Sequence, residues 1–158
     1  MKKPVDPQDA LARMESRCSM AEYCSYEIEM RLRRMGLSTL QIAKIMERLH
    51  DGKFVDDGRY AAAFVRDKYR FSAWGRYKIR MALIAKRIPK HIIDEALQEI
   101  EQKEYVRVAF RAIAAKLRLL PADADRIELR QKLLRFGLSR GYESSLVIKI
   151  LQSDRLWR

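Results

Sequence analysis

The feature that most constrains this 158-residue chain is that it repeats itself. Residues 30–49 fall on residues 81–100 at a shift of 51, without a gap. Leu32 meets Leu83, Leu37 meets Ile88, Ser38 meets Pro89, Ile42 meets Ile93, Met46 meets Leu97 and Leu49 meets Ile100. A further shift of 50 reaches Leu133, Leu138, Val147 and Ile150, and pairs Gly36 with Gly137 and Ser38 with Ser139. Both the apolar positions and the helix punctuation recur, which is the mark of an array of supersecondary units. A single unit of this size has a marginal core, so the units are expected to stack and share one. The division read from the repeat is 1–51, 52–101 and 102–158, with three helices in each unit.

Helices are the expected element throughout. Alternating β-branched runs do not occur, and Ala, Leu, Met, Arg, Lys and Glu dominate. About nine helical pieces are expected, and no strand over residues 74–100. Asp6-Pro7 supplies a cap with Pro at the first helical position. Ser19-Met20-Ala21-Glu22, Ser38-Thr39-Leu40-Gln41 and Asp125-Arg126-Ile127-Glu128 have the spacing of capping boxes. Pro89 opens a further helix, and Gly36 and Gly137 suit the left-handed position that closes one.

Charge narrows the partners. Lys and Arg number 33 against 21 Asp and Glu, a net +12, which favours an anionic partner. The imbalance grows along the chain. Residues 1–51 carry nine bases and eight acids, 52–101 eleven and seven, and 102–158 thirteen and six. No apolar run is long enough to span a membrane, and no apolar stretch follows the charged N-terminus as a secretory signal would require. A cytoplasmic address is expected. Cys18 and Cys24, with no third soft ligand nearby, read as small buried side chains rather than as a metal site or disulfide. The two histidines, His50 and His91, lie far apart, and the six glycines form neither a phosphate loop nor a dinucleotide fingerprint. Neither an enzyme, nor a metal, nor a cofactor is expected. The pair Asp56 and Asp57 precedes a helix, where carboxylates cap free amides, and no third ligand stands close by.

Residues 66–90 stand out as the candidate binding segment. Nine bases, Arg66, Lys68, Arg70, Arg76, Lys78, Arg80, Lys86, Arg87 and Lys90, face one acid, Asp67, with Phe64, Tyr69, Phe71, Trp74 and Tyr77 interleaved. Bases neutralise phosphates, and planar rings can stack on nucleobases. At helical spacing Tyr77, Met81, Ile84 and Ile88 form one apolar stripe, Arg76, Arg80 and Arg87 a second stripe, and Ile79 and Leu83 lie beyond it. Two apolar sides suggest a middle helix packed between neighbours, with Phe64, Trp74 and Tyr77 as core aromatics and the arginines emerging along a seam. With acids nearly absent from the segment, the bases are expected to lack local partners. Reversal of Arg70, Arg76, Arg80 and Lys90 to Glu is then expected to weaken binding far more than stability, leaving the helices intact.

Phe54-Val55-Asp56-Asp57-Gly58-Arg59-Tyr60-Ala61 followed by Trp74-Gly75-Arg76-Tyr77-Lys78-Ile79 resembles the central signature of the RecX family, bacterial regulators of the RecA recombinase. Arg17-Cys18-Ser19 with Glu22, then Leu32 and Gly36-Leu37, resembles that family's first unit. Arg87 stands where the family commonly has Gly, so that helix end is expected to need another cap, and Met81 stands where Glu is common. The resemblance implies an all-α fold of three tandem three-helix repeats stacked into an elongated, curved rod. It also implies a monomer that lies along a RecA–single-stranded DNA filament and inhibits strand exchange and ATP hydrolysis through protein and DNA contacts. Arg66, Arg70, Trp74, Arg76, Lys78, Arg80, Lys86, Arg87 and Lys90 are the residues expected at that contact, with Asp56 and Asp57 as structural caps. A stand-alone basic module that docks on nucleic acid is the other reading the charge supports.

Overall fold

A computed structural model describes residues 3–158. The fold is all-α, and no strand occurs among the described residues. Ten helices follow in order: α1 (Pro7–Met20), α2 (Ser25–Arg34), α3 (Thr39–Asp51), α4 (Asp57–Arg70), α5 (Arg76–Ala85), α6 (Lys90–Gln98), α7 (Gln102–Leu119), α8 (Arg126–Ser139), α9 (Ser144–Leu151) and the single turn α10 (Asp154–Trp157). The first nine form three tandem three-helix repeats. In the first repeat α1 and α2 pack on α3; in the second α4 packs on α5 and α6; in the third α8 packs on α7 and α9. The α4–α7 contact carries the array from the second repeat to the third. A compact 18.6 kDa chain would expose about 8,200 Å². This one exposes 10427 Å², as an extended rod must.

The expectation of one shared core holds for the second and third repeats and fails for the first. Ile79, Leu83, Ile93, Tyr105, Ala109, Ile113, Leu133 and Val147 belong to one continuous cluster spanning the second and third repeats. Ala10, Met14, Ile28, Leu32, Ile45 and Leu49 form a separate core within the first. Of the first repeat's buried residues, Cys24 alone reaches into the larger cluster, through the α2 start.

Helix starts follow local chemistry in most places. Ser38 and Gln41 make both bonds of a capping box, at 3.2 and 2.9 Å. Asp6 caps α1 through Gln8 N, with Pro7 opening the helix, and Pro89 precedes α6. The Ser19 box does not form. The sequence around it favours helix so strongly that α1 continues to Met20, and the Ser19 hydroxyl donates to Glu15 O instead. The cap of α2 is Cys24, whose amide donates to Glu27 Oε1 at 3.2 Å. Asp125 precedes α8 as expected but makes no side-chain cap bond.

The helix ends correct the repeat phase. Gly36 takes φ +82° after α2, as expected. Arg87, one shift of 51 later, takes φ +56° itself, so no other cap replaces the missing glycine. Gly137 is buried inside α8; the left-handed residue of the third repeat is Gly141, at φ +93°. The second shift is therefore 54, not 50, and α3, α6 and α9 begin at Thr39, Lys90 and Ser144 in accord. In this register Leu138 falls on the exposed side of α8 rather than in the core.

Gly141 closes the tightest approach in the molecule. A Cβ on Gly75 would lie 2.1 Å from Gly141 C, and one on Gly141 would lie 2.5 Å from Lys78 N. Both obstacles are backbone, which cannot move aside as a flexible side chain can. Gly75→Ala is expected to cost about 3 kcal/mol or more, at the upper end of overpacking. A urea denaturation midpoint shifted to lower concentration at unchanged slope checks this.

Candidate interaction surface

The segment 66–90 spans the end of α4, the connection to α5, all of α5 and the turn into α6. Folding brings to it acids that the local sequence does not contain. Arg70 Nε lies 3.3 Å from Glu104 and donates to the Tyr69 hydroxyl at 3.1 Å. Arg76 pairs with Glu143 at 2.8 Å, donates to Gln102 Oε1 at 2.7 Å, and lies 4.1 Å from the Tyr105 ring centroid. Arg80 pairs with Asp94 at 2.8 Å, and Lys90 reaches the same carboxylate at 2.6 Å. Those hydrogen bonds, from Lys90 first and then Arg80, hold Asp94 below the usual carboxylate range. Lys86 lies 3.6 Å from Glu27 of α2. The expectation that these bases lack partners is thus overturned. Glu27, Glu104 and Glu143 come from other repeats, far away in sequence, and Asp94 from the next helix.

Among the described residues Arg66, Lys68, Lys78 and Arg87 have no carboxylate partner within ion-pair distance. Lys68 and Lys78 lie 4.7 and 4.5 Å from the Trp74 ring centroid, and Phe64 packs edge-on against the same indole. Trp74 and Phe64 are half-buried against the larger core. Arg87 covers the Tyr26 ring of α2 at 4.7 Å.

The apolar stripe is placed differently from expectation. Ile79 and Leu83 are fully buried, and Ile88 is buried at the turn, but Tyr77, Met81 and Ile84 are 62%, 64% and 50% exposed. Helix α5 has one packed side rather than two, because α4 and α6 both lie against its Ile79–Leu83 face. Tyr77 is one shift of 51 from Tyr26. Its ring stays open because the position equivalent to Arg87 is Gly141, which has no side chain to lay over it.

Both halves of the sequence signature sit at joints between repeats. Asp56 caps α4, its Oδ1 accepting from Arg59 N at 2.9 Å. Asp57 instead accepts from Ser25 N at 2.8 Å, so a residue at the start of α4 caps the start of α2. Arg59 reaches back to Glu22 at 2.7 Å and to the carbonyls of Lys53 and Phe54. At the second joint the first amides of α5 are taken up by the third repeat. Gly75 N donates to Arg140 O at 2.7 Å, Arg76 N to the Tyr105 hydroxyl at 3.0 Å, and Tyr77 N to Gly141 O at 3.1 Å. Tyr105 in turn donates to Glu143 at 2.5 Å, Tyr142 donates to Ala73 O at 2.7 Å, and Arg140 bonds Ser72 O. Burial pushes the Tyr142 hydroxyl up to about 12 and raises Tyr105 further, the latter helped by the Glu143 carboxylate. These phenols stay protonated donors. Burial likewise pushes the Cys24 thiol up to about 12, and Cys18 is half-buried; both cysteines are free. No cluster of metal-ligating side chains occurs among the described residues.

Comparison with known proteins agrees with this architecture. A family model described as RecX, second three-helix domain, matches residues 56–97. The regulatory protein RecX of Prosthecochloris aestuarii is 31% identical over 147 residues, covering 92% of this chain and 93% of the relative. The chain belongs to the RecX family. The RecX of Chlorobaculum tepidum is 36% identical over 117 residues, covering 74% of this chain and 70% of its own length. Two crystal structures share the fold. One, of a regulatory protein RecX, has a TM-score of 0.84 at 24% identity and covers 93% of this chain and 73% of its own. The other, RecX from Lactobacillus salivarius, has a TM-score of 0.78 at 23% identity, covering 92% and 96%.

Arg59 belongs to the sequence signature, whereas Tyr105, Gly141, Tyr142 and Glu143 carry no local signal that marks them. Aligning Gly36 with Gly141 instead of Gly137 would have exposed the Gly-Tyr-Glu run as the partner of Gly36-Leu37-Ser38. The fourfold reversal of Arg70, Arg76, Arg80 and Lys90 is not a surface change in this RecX-family chain, since it breaks four ion pairs. Arg76→Gln is expected to cost about 1–3 kcal/mol by leaving Glu143 Oε2 and Gln102 Oε1 short of a partner. Arg66→Gln is expected to stay within about 0.5 kcal/mol. Paired urea denaturation curves read the difference.

Proposed function

We propose that this RecX-family protein binds the RecA–single-stranded DNA filament and inhibits its strand exchange and ATP hydrolysis, regulating recombination and DNA repair without chemistry of its own. The observation that carries the reading is similarity over 92% of the chain to a regulatory protein RecX, on a chain with net charge +12. A rod of three repeats offers many weak contacts in series. Their combined strength on a polymer grows through effective concentration, so no single contact need be strong. In this reading the chain acts as a cytoplasmic monomer of three units, 1–51, 52–101 and 102–158. The ends of α3 at Asp51 and α6 at Gln98 support those divisions.

Within the middle unit, Arg66, Lys68, Lys78 and Arg87 are the bases that no carboxylate holds and that are free to turn toward the filament, with Trp74 holding two of the lysines; Lys90 is paired with Asp94 yet largely exposed. Arg70, Arg76, Arg80 and Lys86 act instead by fixing the shape that presents them. The second reading is a module that docks on nucleic acid by itself, and the surplus of bases over acids in residues 102–158 favours it.

Co-sedimentation with RecA–single-stranded DNA filaments, followed by ATPase titration, tests the first reading. The expected outcome is saturable binding and falling hydrolysis. Sedimentation without any effect on hydrolysis or strand exchange would reject the inhibitory role. Binding to a naked single strand through four to six phosphate contacts should give a log–log salt slope of about −3 to −4. A slope near zero with affinity retained would assign the contact to protein surfaces.

A further inference from the structure

Beyond the segment just described, the uncompensated charge of the molecule collects in the third repeat. Residues 102–158 hold thirteen bases and six acids. Two of those acids, Glu104 and Glu143, are committed to Arg70 and Arg76 of the second repeat. Within the third repeat the ion pair among the described residues is Lys132 with Glu128, at 3.1 Å.

The one-turn helix α10 gives this charge a shape. Leu156 is buried and anchors it, and the Trp157 indole N–H donates to Leu151 O at 2.8 Å, fixing the ring. Arg126 and Arg130, exposed and four residues apart on α8, bring their guanidinium carbons to 4.5 and 5.7 Å from that ring centroid. Neither has a carboxylate within ion-pair distance among the described residues; Glu128, two positions from each, lies on another side of the helix and pairs with Lys132. Arg155, next along α10, lies 5.4 Å from the Phe110 ring.

Like charges at this spacing on a helix repel each other. Here one aromatic ring holds both by cation–π attraction. Stacking uses the face of a guanidinium and leaves the N–H donors along its edge free, in the fork that matches phosphate oxygens. The arrangement is therefore charged, ordered in advance and without an internal partner, and an anion between the forks would relieve the repulsion.

We propose that Arg126 and Arg130, held on Trp157, form a phosphate clamp for the backbone of single-stranded nucleic acid. Two forks one helical turn apart suit successive phosphates of an extended strand better than an isolated anion. The indole has its N–H committed and guanidinium groups over its ring, so it is poorly placed to insert into lipid. The clamp rests on the functional reading only in taking nucleic acid as a partner; it shifts that contact from the middle repeat to the third.

The test uses the full chain and a fluorescein-labelled thymidine oligonucleotide, followed by anisotropy across a salt series. Arg126→Gln/Arg130→Gln is expected to weaken binding about tenfold at low salt and to flatten the log–log slope by about 1.4, at roughly 0.7 per lost phosphate contact. Arg126→Lys/Arg130→Lys, which keeps the charge but not the fork, should fall between that variant and the parent. Arg33→Gln/Arg34→Gln, an equal charge loss on the first repeat, should leave the slope nearly unchanged. Thermal midpoints equal to the parent's establish that each variant is folded. The clamp is overturned if the first-repeat pair weakens binding equally, if the Gln pair leaves binding intact, or if the parent does not bind the oligonucleotide. It is also overturned if the Gln pair loses binding only to phosphatidylcholine–phosphatidylserine vesicles. Co-sedimentation of the parent with RecA filaments reads the functional proposal separately. Failure there with the oligonucleotide result intact rejects the regulator and keeps the clamp, and the reverse pattern rejects the clamp alone.

Discussion

A helix cannot satisfy its own first amides, and the way this chain solves that problem for α5 organises everything around it. No side chain of the segment caps the start of α5. The donors of Gly75, Arg76 and Tyr77 go to Arg140 O, the Tyr105 hydroxyl and Gly141 O, all in the third repeat. The start of one helix and the turn between two others become a single hydrogen-bonded unit. That contact requires backbone to touch backbone, which fixes glycine at both 75 and 141. Once it forms, Glu143 stands within reach of Arg76, Tyr105 packs edge-on to Tyr142, and the two repeats close over one core.

Two kinds of positive charge follow. Arg70, Arg76, Arg80 and Lys86 are cross-linking groups, each joined to a carboxylate on another helix. Arg126 and Arg130 are held by an aromatic ring. A stretch of sequence dense in Arg and Lys is thus no guide by itself to where an anion would meet the protein. What matters is whether the folded chain brings a carboxylate to a given base, and here it does so for Arg70, Arg76, Arg80, Lys86 and Lys90 and not for Arg126 and Arg130.

Much of the fold was legible because it depends on local and periodic signals. Leu32, Leu83, Ile42 and Ile93 lie in cores at the positions the 51-residue shift assigns them, and Ser38 with Gln41 forms its box. The third repeat was misphased because Gly137 resembles a helix stop, and only tertiary packing against Val147 explains a glycine inside α8. The Ser19 box failed for a related reason: a favourable cap does not end a helix whose flanking residues all propagate it. The candidate site was less legible. Charge pairing between Arg76 and Glu143 spans 67 positions, and the ring that collects Arg126 and Arg130 lies about thirty residues downstream, beyond any window in which charge patterning can be read. Tyr77, Met81 and Ile84 have helical apolar spacing, and nothing local distinguishes a face that meets a neighbour from one that meets water.

The two seams of the rod are built to the same plan with different atoms. Where Gly75 offers an amide to Arg140 O, the equivalent Cys24 offers a thiol 3.9 Å from Lys86 O. Where Gly141 lets the chains touch, Arg87 keeps them a side chain apart and spends that side chain on Tyr26. The first repeat also keeps its own core. Pulled or twisted on its long axis, such a rod yields at the seam between the first and second repeats while the other two turn as one body. Its compliance is then concentrated at a single hinge line, so the tilt of the first repeat is the soft coordinate of the rod and the angle between the second and third is the stiff one.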